Sequence, residues 1–269
     1  MSRANKDENI AKATEIINIC NLREYQCLVR GKVRRVRLDD IQGAEYYSSS
    51  QLAKLSFDEV GACENIEVTN SSAIADIWRL SNLYKDKQIG VLNFASSHSP
   101  GGGFINGAMA QEEALCHAST LYYQLKDCLL YSMNKKHYTK TYTDNMAFTK
   151  TQFFVDYNGN KRVQPVTCDV VTSAAVNLRL AKDISMQQVE EVMRVRMHKI
   201  IQLFIKNKTD IIILGAFGCG VFMNDPRVIA KIWKDELSKY GGYFDRVVFS
   251  IMGSTETVNY KEFADAFTM

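Results

Sequence analysis

Two adjacent carboxylates, Glu112 and Glu113, follow a run of three glycines, Gly101-Gly102-Gly103, and Gln111 stands directly before them. Carboxyl groups move protons. Consecutive glycines reach positive φ, let a ligand approach the backbone closely and leave amide N–H groups free to converge on an anion. Both sets lie within residues 101–113, which predicts cleavage of a bond next to a phosphate-bearing sugar. An acid beside a bound phosphate feels like-charge repulsion, which favours the protonated form that a general acid needs near neutral pH. The plainer reading of the pair is that acids favour the first turn of a helix through its dipole, which pulls the other way.

A second glycine-rich stretch, Gly215-Ala216-Phe217-Gly218-Cys219-Gly220-Val221-Phe222, suggests another wall for the same phosphate. It ends in Asp225-Pro226, a cap followed by a favoured first helical residue, so a tight turn into a helix is expected there too. Cys219 is a candidate nucleophile, but no histidine stands near it in sequence, and a small residue suits the turn.

Such loops need strands ahead of them and helices behind. Residues 88–95 and 211–214 are apolar runs that read as buried strands, with further strands at 66–69, 166–173 and 247–251. Helices are expected over 7–21, 73–83, 110–133, 185–206 and 226–240, with a short one ending the chain. Residues 25–38 read as a strand or hairpin around Gly31. Residues 150–163 read as a hairpin turning at Asn158-Gly159. Alternation of helices with continuously apolar strands argues an α/β sheet covered on both faces, with ligands beyond the strands' carboxyl ends.

The 269 residues suit one large domain or two small ones, and the net charge of +3 says little about partners. No stretch reaches the roughly 20 apolar residues of a membrane span, and the first nine residues lack a signal peptide's apolar core. Seven cysteines without a CxxC pair read as small core residues in a reducing compartment, and no metal site is indicated. Arg30, Lys32, Arg34, Arg35 and Arg37 form a basic strand, read as a solvated edge over a polyanion track. Tyr122 and Tyr123 read as helix core, and Arg194, Arg196 and Lys199 as a solvated helix face. His117 reads as a helix-surface residue over one that tunes Glu113, His137 and His198 carry no signal, and Phe249 reads as core rather than an adenine platform.

Gly101-Gly102-Gly103, seven residues, then Gln111-Glu112-Glu113 resembles the signature of the poly(ADP-ribose) glycohydrolase family. The stretches 92–113, 170–177 and 215–226 look like its bacterial-type branch, so the resemblance spans roughly 65–252. It implies a three-layer α/β/α macrodomain-like mixed sheet, with residues 1–60 as an N-terminal helical and β accessory extension and 61–269 as the catalytic core. It implies hydrolysis of the ribose–ribose bond of poly(ADP-ribose), with Glu113 as general acid/base and Glu112 on the ribose hydroxyls. Gly101, Gly102, Gly103, Gln111 and the segment Ala216, Phe217, Gly218, Cys219, Gly220, Val221 would bind substrate, and Phe222 would pack on the ribose. Many relatives carry Asn shortly before the glycines. Here that stretch is Ser96-Ser97-His98-Ser99-Pro100, where His98 or a serine would have to substitute. No cofactor is implied. The expected partners are poly(ADP-ribose), ADP-ribose and ADP-ribosylated proteins, with no membrane or direct nucleic-acid binding, for an intracellular monomer. Removal of mono-ADP-ribose, binding without cleavage, and a nucleotide phosphatase are the competing readings. The acid pair argues against binding alone, and no metal or nucleophile supports the phosphatase.

Overall fold

A computed structural model describes residues 3–29, 32–136, 139–157 and 162–267. Arg30, Gly31, His137 and the Asn158-Gly159 turn lie outside the described residues. The chain opens with helix α1 (Arg3–Leu22) and an antiparallel hairpin, β1 (Glu24–Val29) with β2 (Lys32–Arg37). A short strand β3 (Glu45–Tyr47) and one helical turn, α2 (Ser49–Leu52), follow. Next come β4 (Ile66–Thr69), α3 (Ala73–Leu83) and β5 (Ile89–Phe94). Three short helices succeed them: α4 (Gln111–Ala118), α5 (Leu121–Leu125) and α6 (Leu129–Lys136). The rest runs β6 (Met146–Val155), β7 (Arg162–Ser173), α7 (Met186–Lys206), β8 (Ile211–Leu214), α8 (Pro226–Tyr240), β9 (Arg246–Ser250) and α9 (Val258–Phe267).

Seven strands form one mixed sheet in the order β3-β6-β7-β5-β8-β9-β4. The pairs from β7 to β4 are parallel, and β3 and β6 add antiparallel strands at one edge. Strand side chains alternate between faces. Ile211 and Ile213 of β8 and Val248 of β9 therefore join α1, α3 and α4 on one side. Ile212, Leu214, Val247 and Phe249 join α7, α8 and α9 on the other. Coverage on both faces is why these strands read as unbroken apolar runs. The architecture is the expected α/β/α macrodomain-like sandwich.

Some elements differ from their sequence reading. The expected hairpin arm near 163 and the separate strand at 166–173 are a single twelve-residue strand, β7, paired with β6 over most of its length. Of the three cations read as a solvated face of α7, Arg194 is partly exposed, but Arg196 is 1% exposed and Lys199 is also buried. The segment 139–145 covers that side of the helix. Asp144 takes Arg196 at 3.1 Å and Lys199 at 2.8 Å, and Arg196 also donates to the carbonyls of Thr141 and Ala174, each at 2.8 Å. Phe249 sits in the core, stacked on Phe267 with ring centroids 4.4 Å apart.

Candidate active site

The carboxyl ends of β5 and β8 lie side by side, and a glycine loop leaves each. After β5 the chain turns through Gly101 and Gly102, at φ +64° and +61°. A β-carbon on Gly102 would collide with Glu113 Oε1 and approach Glu112 Oε2 to 3.0 Å, so both the conformation and the space require glycine. A 3-10 turn over Phe104–Asn106 then delivers the chain to α4.

Ala110, at the N-cap of α4, offers no side-chain acceptor. Glu113 reaches back instead: its Oε2 accepts from Ala110 N at 2.9 Å and its Oε1 from Gly103 N at 2.8 Å. The helix-start role of this acid and its place in the site are thus compatible. Glu112, 3% exposed, accepts from Ser96 N at 2.7 Å and from Asn93 Nδ2 at 3.3 Å. Asn93 also donates to Thr172 Oγ1 on β7, so Glu112 is anchored where β5 meets β7. Burial pushes the Glu112 carboxyl up to about 8; the Ser96 and Asn93 donors oppose this, and the neighbouring Glu113 charge adds to it. Burial thus favours the neutral form of this carboxyl.

Gln111 holds the end of β5. Its Oε1 accepts from Phe94 N at 2.9 Å and its Nε2 donates to Leu92 O at 2.8 Å. Pairing of β5 with β8 ends at Val91 and Ile213, so the side-chain amide takes over backbone groups that β8 leaves unpaired.

The second loop begins at Gly215, where a β-carbon would come within 2.9 Å of Ser250 O and 3.1 Å of the Phe94 ring. Gly218, at φ +77°, lies against Ala175. Asn224 Nδ2 donates to Gly218 O at 3.0 Å and Val176 O at 2.8 Å, tying the loop to the segment after β7. Among the described residues no protein group accepts from the amides of Ala216, Gly218, Gly220, Val221 or Phe222. Successive unpaired amides on a curved backbone attract anions.

Between the loops lies a cavity of about 590 Å³. Of the expected site residues, all but Gly101 and Cys219 line it. Gly101 is buried under the Tyr122 ring and Cys116 Sγ. Cys219 directs its thiol at Phe217 O, and burial pushes that thiol up to about 12, which leaves it a poor nucleophile. His98 turns away, its Nδ1 2.6 Å from Ser97 Oγ and its ring edge-on to Tyr142, whereas Ser96 and Ser99 face the cavity. His117 packs edge-on against Phe104 at 4.6 Å. Sequence reasoning missed Asn93, Asn224 and Phe94. It also missed the contact of α1 with the first loop: Asn9 Nδ2 donates to Gly107 O at 3.2 Å, and Lys6 O lies 2.5 Å from where a Gly107 β-carbon would stand.

Against expectation, the first loop's amides are already engaged, Gly102 N by Ser99 O and Gly103 N by Glu113, so of the two loops the second alone presents unpaired amides to an anion among the described residues. A carboxylate pair facing those amides across a cleft, at the carboxyl edge of a macrodomain-like sheet, fits an α/β/α hydrolase of phosphate-bearing substrates. The family model for the microbial-type poly(ADP-ribose) glycohydrolase catalytic domain matches residues 13–155, just over half the chain. The chain belongs to that family. Its fold is similar to the crystal structure of poly(ADP-ribose) glycohydrolase from Thermomonospora curvata, at TM-score 0.88 and 29% identity, over 97% of this chain and 100% of that one. The same enzyme bound to the inhibitor ADP-HPD matches at TM-score 0.86 and 30% identity over the same shares. The Deinococcus radiodurans enzyme in complex with ADP-ribose matches at TM-score 0.77 and 28% identity, over 87% of this chain and 99% of that chain. No curated protein sequence matches the chain. Among the described residues no helix is long and apolar enough to cross a membrane.

Proposed function

We propose that this chain hydrolyses the ribose–ribose O-glycosidic bond of poly(ADP-ribose) and releases ADP-ribose. One observation carries the reading: Glu112 and Glu113 face a cleft between two glycine loops, and the second loop presents a run of unpartnered amides. A diphosphate suits those amides, and the ribose attached to it then falls beside the acids. Gly101, Gly102, Gly103 and the backbone of 216–221, Cys219 included, shape the diphosphate site, and Phe222 sets the ribose angle.

Glu113 protonates the departing ribose oxygen while the C1″–O bond breaks and C1″ gains oxocarbenium character. A bound diphosphate stabilises the cationic ribose electrostatically. Glu113, now ionised, takes a proton from water as the water oxygen bonds C1″. The products are ADP-ribose and a polymer shortened by one unit. One acid thus serves both steps, unlike the usual two-carboxylate glycosidase scheme. Glu112, neutral and clamped by Ser96 and Asn93, positions the ribose hydroxyls. Gln111 acts through β5, fixing the strand end from which Asn93 and Ser96 project.

Residues 1–60 serve in this reading as an accessory extension, which lends β3 to the edge of the central sheet and braces the first loop with α1, and 61–269 as the catalytic core. ADP-ribosylated proteins are the carriers of the substrate, and the chain acts as an intracellular monomer; its seven cysteines, all free thiols, support a reducing compartment. Incubation with purified poly(ADP-ribose) tests the activity: free ADP-ribose accumulates, and an unchanged polymer would refute it.

A further inference from the structure

Next to the cleft lies a second concave surface that the reaction scheme leaves unused. It spans about 740 Å³ and is lined by Leu178, Arg179, Leu180, Lys182 and Met223, with Asn177 at its edge. It adjoins the cleft directly, because Leu178 N donates to Phe222 O at 3.0 Å and Phe222 lines the cleft. Its surface combines two chemistries. Leu180 and Met223, 56% and 64% exposed, form an apolar platform. Arg179 and Lys182 make no ion pair among the described residues. Of the nearby acids, Asp183 is paired with Lys140, and Asp225 caps α8 by accepting from Arg227 N at 2.9 Å.

Met223 adds an independent observation. It holds φ +62°, a left-handed conformation rare for a residue other than glycine, asparagine or aspartate. Backbone strain of this kind persists where the surroundings enforce it and concentrates at functional sites. Here it sets an exposed thioether on the rim of the cleft instead of burying it.

We infer that this surface binds the ADP-ribose unit on the leaving side of the scissile bond, with Arg179 and Lys182 on its pyrophosphate and Leu180 and Met223 under its base. The inference rests on the poly(ADP-ribose) reading above. Direction supports it. Glu112 is anchored through Asn93 to Thr172, so the acids sit at the β5–β7 end of the cleft. Residues 177–182 follow β7, and a polymer continuing past the acids at that end runs out over them. Charge and shape agree: a pyrophosphate pairs with guanidinium and ammonium groups, and a flat base covers exposed apolar area.

The test compares two substrates: poly(ADP-ribose), and ADP-ribose carrying a phenol leaving group at C1″, which keeps the reacting centre but removes the leaving unit. The variants are Arg179→Ala with Lys182→Ala, and separately Met223→Gly, which relieves the backbone while deleting the platform. The double variant, which removes both charge-assisted contacts, raises KM for the polymer by at least about tenfold, and Met223→Gly, which removes apolar contact under the base, by about threefold, each with kcat held within about twofold. The phenol substrate is cleaved with kcat/KM within about twofold of the unaltered protein. An unchanged polymer KM, or an equal loss on both substrates, overturns the inference. If the unaltered protein cleaves neither substrate, the functional reading fails and the inference falls with it. If an acidic peptide competes with polymer cleavage but not with phenol release, and does so only when Arg179 and Lys182 are present, the surface is a protein-docking site and the inference is wrong.

Discussion

Gly103 N donates to Glu113 Oε1 at 2.8 Å, so the last of the three glycines holds the second of the two acids. Gly102, one residue earlier, clears the space above that oxygen. Glycines and acid are one unit. Gly102→Ala forces a side chain into the left-handed region and against both carboxylates. It is expected to cut turnover by about 100-fold, the scale of a misplaced catalytic group. Gly43→Ala, which meets nothing within 4 Å, leaves turnover unchanged. Equal activity of the two variants would separate the glycines from the acid.

The raised Glu112 carboxyl links activity and stability to pH. The folded chain keeps this proton up to about pH 8, whereas the ordinary carboxyl value is 4.5. Its contribution to stability is fully present below about pH 4.5 and falls away as the pH rises to about 8, because the folded state binds more protons in that window. Asp169, pushed up to about 6 by burial, adds a smaller loss of the same sign. Melting temperatures at pH 5 and pH 8.5 should therefore fall further for the unaltered chain than for Glu112→Gln. Identical slopes would show that Glu112 is ionised throughout.

Helix α1 packs Lys6 and Ile10 against Gly107 and ties it with a side-chain hydrogen bond from Asn9 to Gly107 O. Asn9→Ala leaves Gly107 O without its partner, a loss of about 1–3 kcal/mol when the group stays buried. Since Gly107 ends the turn that delivers α4, kcat is expected to fall severalfold while KM for the polymer holds. Steady-state kinetics decide this. A fall in melting temperature with unchanged kcat would confine Asn9 to stability.

Much of this site was legible along the chain, and the reasons differ by residue. The glycine loops, Gln111-Glu112-Glu113 and the Asp225-Pro226 helix start are local signals, readable within a dozen residues. Asn93 was not, because it sits inside an apolar strand and gains its role only when β5 pairs with β7. The burial of Arg196 depends on Asp144, 52 residues earlier, and on the segment that covers α7. A helical wheel cannot report either. The strand β3 is three residues long, too short for alternation to register. Gln111 was read as a ligand contact, yet its amide is engaged at both ends by β5 backbone.

The Arg196–Asp144–Lys199 cluster yields a prediction about the fold. Asp144→Ala strands two buried cations and is expected to cost about 3–5 kcal/mol, the usual penalty for breaking a buried pair on one side. Denaturant unfolding measures it. A change below about 1 kcal/mol would mean that the cluster is solvated, as surface pairs are.

The most direct test of the central claim is single-turnover release of ADP-ribose from purified poly(ADP-ribose), by the unaltered chain and by Glu113→Gln, with ADP-ribose affinity measured by calorimetry on the same samples. The glutamine cannot donate the proton, so release should fall by at least about 100-fold, the lower end of what general acid–base catalysis supplies, while affinity stays within about threefold. Release by Glu113→Gln at more than a few percent of the unaltered rate, about what a lesser loss would leave, would contradict Glu113 as the acid that cleaves the bond.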